Sequence, residues 1–247
     1  MKKNKLILTR PHYQNLKLIE SIKMENLDIV NMPLIEIEGI IDYKHSDINQ
    51  KMNRSIHCII FISTNAVIYF GQLLKKFNLP FPKANFIAAI GKSTAQLIKD
   101  TFGAEALFPK NIYDSEHLMD LSIFDNVSEK YCLIIRGKGG RETLKNLLIN
   151  RGAIVEYLEC YQRSMIPFNA ENFKDTKILG NNFILISSNE AAQHFVNQIT
   201  KLKIDVSDYI FIVNHERIAE KITAISNKIK MIDEINAAEI QKTIQSF

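Results

Sequence analysis

What the chain lacks narrows its class first. No apolar stretch reaches the roughly twenty residues that a membrane-spanning helix requires. No apolar leader follows the opening Met-Lys-Lys-Asn-Lys, since Leu6-Ile7-Leu8 is only strand-sized. Neither membrane insertion nor export is expected, so the sequons Asn53-Arg54-Ser55 and Asn126-Val127-Ser128 are patterns only. Cysteine is scarce. Cys58, Cys132 and Cys160 form no CxxC pair, and each lies in or beside an apolar run. They read as buried free thiols in a reducing cytoplasm, not as disulfides or zinc ligands. The six histidines show no paired spacing that suits a metal. A GxGxxG fingerprint, a P-loop and a GxSxG elbow are all missing. The formal charge is only +4, with basic residues spread and not massed, which argues against nucleic acid and is compatible with an acidic small molecule.

What is there is a repeat. Apolar runs end in Ser63-Thr64-Asn65 and again in Ser187-Ser188-Asn189, an offset from 63 to 187 of 124 residues. At that same offset Gly91-Lys92-Ser93-Thr94-Ala95 aligns with His215-Glu216-Arg217-Ile218-Ala219, each behind its own apolar run. A second echo pairs Ile7-Leu8-Thr9-Arg10 with Ile134-Ile135-Arg136. The 247 residues, 46% of them apolar, suffice for two small domains or one large one. Strands are expected at Lys5–Thr9, Leu27–Met32, His57–Ile62, Phe86–Ile90, Tyr131–Ile135, Ile154–Tyr157, Phe183–Ile186 and Ile210–Val213. Helical periodicity separates several of them, as at Gln14–Met24 and from Glu142 to Asn150. Alternation of this kind predicts parallel sheets with helices on their faces. Four modules result, near 1–38, 56–125, 130–162 and 180–247, the first resembling the third and the second the fourth. The stretches near 33–46 and 160–180 read as irregular connectors.

The polar positions at the strand ends can each be read two ways. Ser63 and Ser188 are helix N-caps in the plain reading. In the functional one they mark helix N-termini offered to carboxylates or phosphates. Arg136-Gly137-Lys138-Gly139-Gly140-Arg141-Glu142 puts glycines and cations together at a strand end. Uncovered backbone N–H groups and positive charge suit an anion, and a solvated tight turn fits the same residues. Tyr161, where a strand leaves its unit, is either an amphipathic packing residue or a proton donor, protonated at neutral pH with a reference pKa of about 10.

Together these residues resemble the uroporphyrinogen-III synthase family. The resemblance is carried by Leu8-Thr9-Arg10-Pro11, Phe61-Ile62-Ser63-Thr64-Asn65-Ala66-Val67, Ala89-Ile90-Gly91-Lys92-Ser93-Thr94-Ala95, the Arg136–Glu142 run, and Val213-Asn214-His215-Glu216-Arg217-Ile218-Ala219. Ser115-Glu116 after Pro109 also fits. The Arg136–Glu142 run is the most specific of them, and the order and spacing of all run from about residue 6 to 219.

The resemblance implies a fold of two parallel-sheet α/β domains, flavodoxin- or Rossmann-like, joined by two extended connectors with a cleft between the domains. Residues 1–35 plus 167–247 would form one domain and 39–162 the inserted one, with connectors near 36–38 and 163–166. The implied substrate is hydroxymethylbilane, a linear tetrapyrrole with eight carboxylates, which the enzyme dehydrates and cyclises with inversion of the terminal ring through a spiro intermediate. No metal or organic cofactor is implied, nor any nucleic-acid or membrane partner. A monomer is implied, with room for transient contact with the preceding enzyme, hydroxymethylbilane synthase. Tyr161 matches the family tyrosine that helps the hydroxyl depart. Thr9, Arg10, Ser63, Asn65, Arg136, Lys138, Gly139, Ser187, Ser188, His215 and Arg217 would meet carboxylates. His215 stands where many relatives have a small residue, which either alters the contacts of the final turn or adds a titratable donor there. The rival reading is a non-catalytic two-lobed α/β sensor of an anionic metabolite.

Overall fold

The computed structural model describes residues 3–40 and 42–247. From the N-terminus run β1 (Asn4–Leu8), α1 (His12–Ser21), β2 (Leu27–Asn31), β3 (Ile35–Gly39), α2 (His45–Met52) and β4 (Ile56–Phe61). Next come α3 (Thr64–Lys76), β5 (Ala84–Ala89), α4 (Lys92–Phe102), α5 (Ser115–Leu118), a 3₁₀ turn at Ser122–Phe124, and β6 (Tyr131–Gly137). Then follow α6 (Thr143–Asn150), β7 (Ile154–Met165), α7 (Ala170–Asp175), β8 (Asn181–Ile186) and α8 (Asn189–Leu202). The chain ends with β9 (Tyr209–Val213), α9 (Glu216–Ile222), β10 (Ile229–Met231) and α10 (Ala237–Gln245). It divides into one unit of Met1–Glu36 with Ser164–Phe247 and another of Ile37–Arg163. Among the described residues no helix is long and apolar enough to cross a membrane.

In the first unit the strand order is β10-β9-β8-β1-β2. β1 pairs in parallel with β2 and with β8, β8 with β9, and β9 with β10. Period-two alternation sorts the core into two faces. Leu6, Leu8, Phe183, Leu185, Ile210 and Ile212 face Leu18 of α1, Ile22 just after it, and Ile240 and Ile244 of α10. Ile7, Ile184, Ile186, Phe211 and Val213 face Phe195 and Ile199 of α8, Ile218 and Ile222 of α9, and Phe173 of α7. Burial on both faces explains why these strands read as continuous apolar runs.

In the second unit the order is β3-β7-β6-β4-β5, with parallel pairing of β4 to β5, β4 to β6 and β6 to β7. Cys58, Ile60, Cys132 and Ile134 face Leu144 and Leu148 of α6 and Leu118 of α5. On the opposite face Phe61 meets Phe70 of α3 edge-on, with ring centroids 5.6 Å apart, and Phe102 of α4 at 6.2 Å. All three cysteines are free and buried. Burial pushes the Cys132 thiol to about 11 and that of Cys160 to about 12, which keeps both protonated and inert.

The two sheets explain the echo in the sequence. The run β2-β1-β8-β9 in one corresponds to β7-β6-β4-β5 in the other. Each sheet has a switch point, between β1 and β8 or between β6 and β4, from which the chain winds outward in opposite directions. Ligands of open α/β sheets bind at such points, beyond the carboxyl ends of the strands.

The stretches expected to be irregular contain regular elements. Ile35-Glu36-Ile37-Glu38-Gly39 alternates apolar and charged residues, burying Ile35 and Ile37, and forms the edge strand β3 beside β7. β7 runs twelve residues to Met165, well past Tyr157. Ala170–Asp175 is the short helix α7, capped by Asn169. Both crossings between the units, at 36/37 and 163/164, thus fall inside strands.

Candidate active site

In the second unit the switch point lies between the ends of β4 and β6. Ser63 follows β4 in extended conformation, and its hydroxyl accepts the Ala66 N–H at 3.1 Å, capping α3. Asn65 is buried in the first turn of that helix. Beyond β6 comes the glycine-rich loop. Gly139 (φ 73°) and Gly140 (φ 98°) lie in the left-handed region that side chains avoid, which accounts for glycine at both.

Arg136 lies buried at the base of this loop. Its side chain is 3% exposed, and all its bonds go to the protein. Nε donates to Gly137 O at 3.1 Å, and Nη1 to Arg141 O at 3.4 Å and to Glu142 Oε1 at 3.1 Å. The guanidinium lies over the Tyr157 ring, 4.3 Å from its centroid. The Tyr157 hydroxyl in turn donates to Glu142 Oε2 at 2.9 Å. Burial, then that bond to Glu142, pushes the phenol up to about 12. Arg136 therefore holds the loop from behind, with its guanidinium bonded within the protein. The exposed cations here are Lys138 and Arg141, and Lys92 at the start of α4.

Tyr161 owes its position to a β-bulge. Down the β6–β7 ladder Arg136 pairs with Glu159, but the next residue, Gly137, pairs with Tyr161, so Cys160 is the extra residue. The bulge turns both side chains toward α3. Cys160 Sγ approaches Ala66 O at 3.5 Å, and the Tyr161 ring stacks on Tyr69 with centroids 5.6 Å apart. The ring passes over Gly137 so closely that a β-carbon there would lie 2.5 Å from it. Tyr161 is 4% exposed, and its hydroxyl is 3.1 Å from Ser63 Oγ. Because the Ser63 oxygen already accepts the cap bond, its own proton is free to point at the phenol oxygen. The phenol can then aim its proton elsewhere.

In the first unit the switch point lies between β1 and β8. Thr9 is 1% exposed, and its hydroxyl donates to Leu185 O at 2.6 Å. Thr9 thus ties the ends of the two strands together, where a ligand contact was expected. Arg10, half-buried, keeps its Nε buried with no partner. Burial draws the guanidinium's pKa down, opposed by Tyr13, but an arginine remains charged. Ser188 caps α8 by accepting from Ala191 N at 3.1 Å, next to Ser187. His215 caps α9 as an acceptor, its Nδ1 taking the Arg217 N–H at 3.2 Å. This cap needs the neutral ring with its proton on Nε2, so any donation comes from that nitrogen alone. The Arg217 side chain is exposed.

Several contributors were not visible in the sequence. Asn15 is fully buried, and its Nδ2 donates to Leu8 O at 3.0 Å, Arg10 O at 2.8 Å and Asn31 Oδ1 at 2.7 Å, which fixes the turn after β1. The signal was a polar residue at helical spacing with Leu18, Ile19 and Ile22. Asn214 Oδ1, just past β9, is buried without a partner. Tyr43, remote in sequence, donates from its hydroxyl to Glu159 O at 3.1 Å and accepts from Glu159 N at 3.2 Å, fixing β7 just before the bulge.

A family model described as uroporphyrinogen-III synthase HemD matches residues 17–237. The uroporphyrinogen-III synthase of Proteus mirabilis is 32% identical over 170 residues, which is 68% of this chain and 84% of that protein. That of Escherichia coli (strain K12) is 35% identical over 108 residues, 44% of each chain. Crystal structures that match the fold include two of this kind. The synthetase of Helicobacter pylori 26695 gives a TM-score of 0.61 at 16% identity, covering 100% of both chains. A mutant synthase of the extreme thermophile Thermus thermophilus gives 0.65 at 12% identity, covering 98% of both. At those identities the structures speak for the fold alone, whereas the family model takes in most of the chain. The chain belongs to the uroporphyrinogen-III synthase family.

Proposed function

We propose that this chain closes hydroxymethylbilane to uroporphyrinogen III, releasing one water and inverting ring D. The observation that carries the reading is the family match, which runs from 17 to 237 and so through both units. In this account the Tyr161 phenol gives its proton to the departing hydroxyl, which leaves as water while the pyrrole nitrogen pushes electrons outward. The pyrrole N–H proton then restores the phenol, leaving a neutral azafulvene. The substituted carbon of ring D attacks it to form the spiro intermediate, which fragments and recloses inverted. Spontaneous closure gives the uninverted ring, so the protein's task is to favour one trajectory by positioning and electrostatics.

The site residues divide by what they can reach. Arg10 is the strongest candidate for a carboxylate contact, because its buried Nε lacks any acceptor in the protein. Lys138, Gly139, Ser187, Ser188 and Arg217 lie at the exposed or half-exposed turns of their own units, and Ser63 and Asn65 at the start of α3. His215 contributes through Nε2. Thr9 and Arg136 act behind the surface by holding the turns in shape.

Arg10→Ala is expected to raise KM about ten- to a hundredfold, as for a lost charge-assisted hydrogen bond of roughly 1.5–3 kcal/mol, and to change kcat much less. Initial rates against substrate concentration check it; an unchanged KM removes Arg10 from the site. The function itself is tested by incubating the chain with freshly made hydroxymethylbilane and separating the oxidised type I and type III products. Type III above the enzyme-free control is expected. Type I alone from folded protein refutes the reading.

A further inference from the structure

An amide in a glycine-rich loop binds a carboxylate well only if no other acceptor holds it. In the second unit one does. Gly139 N–H donates to Oε1 of Glu159 at 3.2 Å, and the same oxygen lies 4.0 Å from Arg136 Nε. Glu159 stands opposite Arg136 in the β6–β7 ladder, with its backbone clasped by the Tyr43 hydroxyl. Its side chain is 31% exposed, and the space beside the Gly139 Cα is open, so water and ligand can reach both.

Charge balance does not explain Glu159. Arg136 already has Glu142 at 3.1 Å, whereas its 4.0 Å separation from Glu159 lies at the outer limit of an ion pair. What Glu159 does occupy is the loop N–H offered by a glycine in left-handed conformation, flanked by the exposed cations of Lys138 and Arg141. A carboxylate in that position has the chemistry of the polycarboxylate substrate assigned above.

We propose that Glu159 is an intramolecular placeholder that holds the loop's carboxylate site in the free enzyme and is displaced when a substrate carboxylate takes the Gly139 N–H. The inference rests on the proposed function. Glu159 is thereby an affinity-setting residue: substrate meets the loop only in the fraction of molecules in which that side chain has swung away. Apparent affinity is reduced by that fraction.

Removing the placeholder strengthens binding, the reverse of what loss of a structural contact does. Glu159→Ala is expected to lower KM for hydroxymethylbilane about three- to tenfold. Glu159→Gln, which keeps a weaker neutral acceptor on the same amide, falls between Ala and the parent. The ratio of parent to variant KM should persist at high salt, because the competition is for one hydrogen bond. If Ala fails to fold, the Gln variant carries the test. A KM unchanged or raised in folded variants overturns the placeholder. So does a ratio that collapses to one at high salt, which would mean long-range repulsion only. A parent chain that forms no type III product removes the function itself, an outcome distinct from either.

Discussion

Tyr161→Phe is expected to lower kcat by one to two orders of magnitude and to leave KM and the thermal midpoint close to the parent's. The ring stays stacked on Tyr69 and over Gly137, and only the hydroxyl beside Ser63 is lost. A positioned proton donor contributes about 10²–10⁴ in rate. The lower end applies in the proposed reaction, where the pyrrole nitrogen would assist departure of the hydroxyl on its own. Ser63 keeps its bond to Ala66 N, so the stability cost stays near 1 kcal/mol. Ser63→Ala should slow turnover less, and in the Tyr161→Phe background it should add little, since both changes remove one hydrogen-bonded unit. Full additivity of the two in steady-state rates would separate Ser63 from the phenol.

Gly137→Ala is expected to be as damaging to kcat as Tyr161→Phe, and to cost stability as well. The new methyl would lie 2.5 Å from the Tyr161 ring. That ring is boxed in by Tyr69 on one side and by its own bulged backbone, whose carbonyl accepts from Lys138 N at 2.7 Å. Overpacking of this kind costs roughly 1–3 kcal/mol, and the easiest relief is to move the phenol. The double variant with Tyr161→Phe should be no slower than either single one. Gly103→Ala is the matched control in the same unit. It ends α4 at φ 66° with open space around it, so it should cost about 1 kcal/mol and leave the rate alone. Unfolding midpoints beside kcat for the three variants decide the matter, and near-parental turnover in Gly137→Ala would show that the ring is not held as described.

The parts of the fold that could be read from the sequence are those in which one residue pattern has one physical cause. Strands buried on both faces, such as Ile56–Phe61, are mostly apolar, and the one polar side chain there, His57, is buried with its Nε2 3.2 Å from Ile123 O. Ser63 and Ser188 announce their helices because a serine N-cap accepts a first-turn N–H, whereas α4 starts at Gly91 with no side-chain cap. The offset of 124 residues reflects the matched strand orders of the two sheets. Edge strand β3 was hidden because alternation over five residues beside Pro33 looks like a connector. The bulge at Cys160 was hidden for a deeper reason. A bulge is a relation between two strands, and nothing in Glu159-Cys160-Tyr161 marks which residue is the extra one. The same holds for charge. Arg136 and Arg141 are alike in sequence, yet one is sealed under its loop and the other is exposed, and only the path of Gly137–Glu142 separates them.

Inversion of ring D is what separates the enzymatic product from the spontaneous one, so the decisive quantity is the fraction of type III isomer against chain concentration at fixed hydroxymethylbilane. Enzymatic inversion competes with spontaneous closure, and the type III fraction should therefore climb toward one as the chain is added, with Tyr161→Phe requiring roughly ten to a hundred times more protein to reach the same fraction. A type III fraction that stays at the enzyme-free level at every concentration of folded chain would contradict the account.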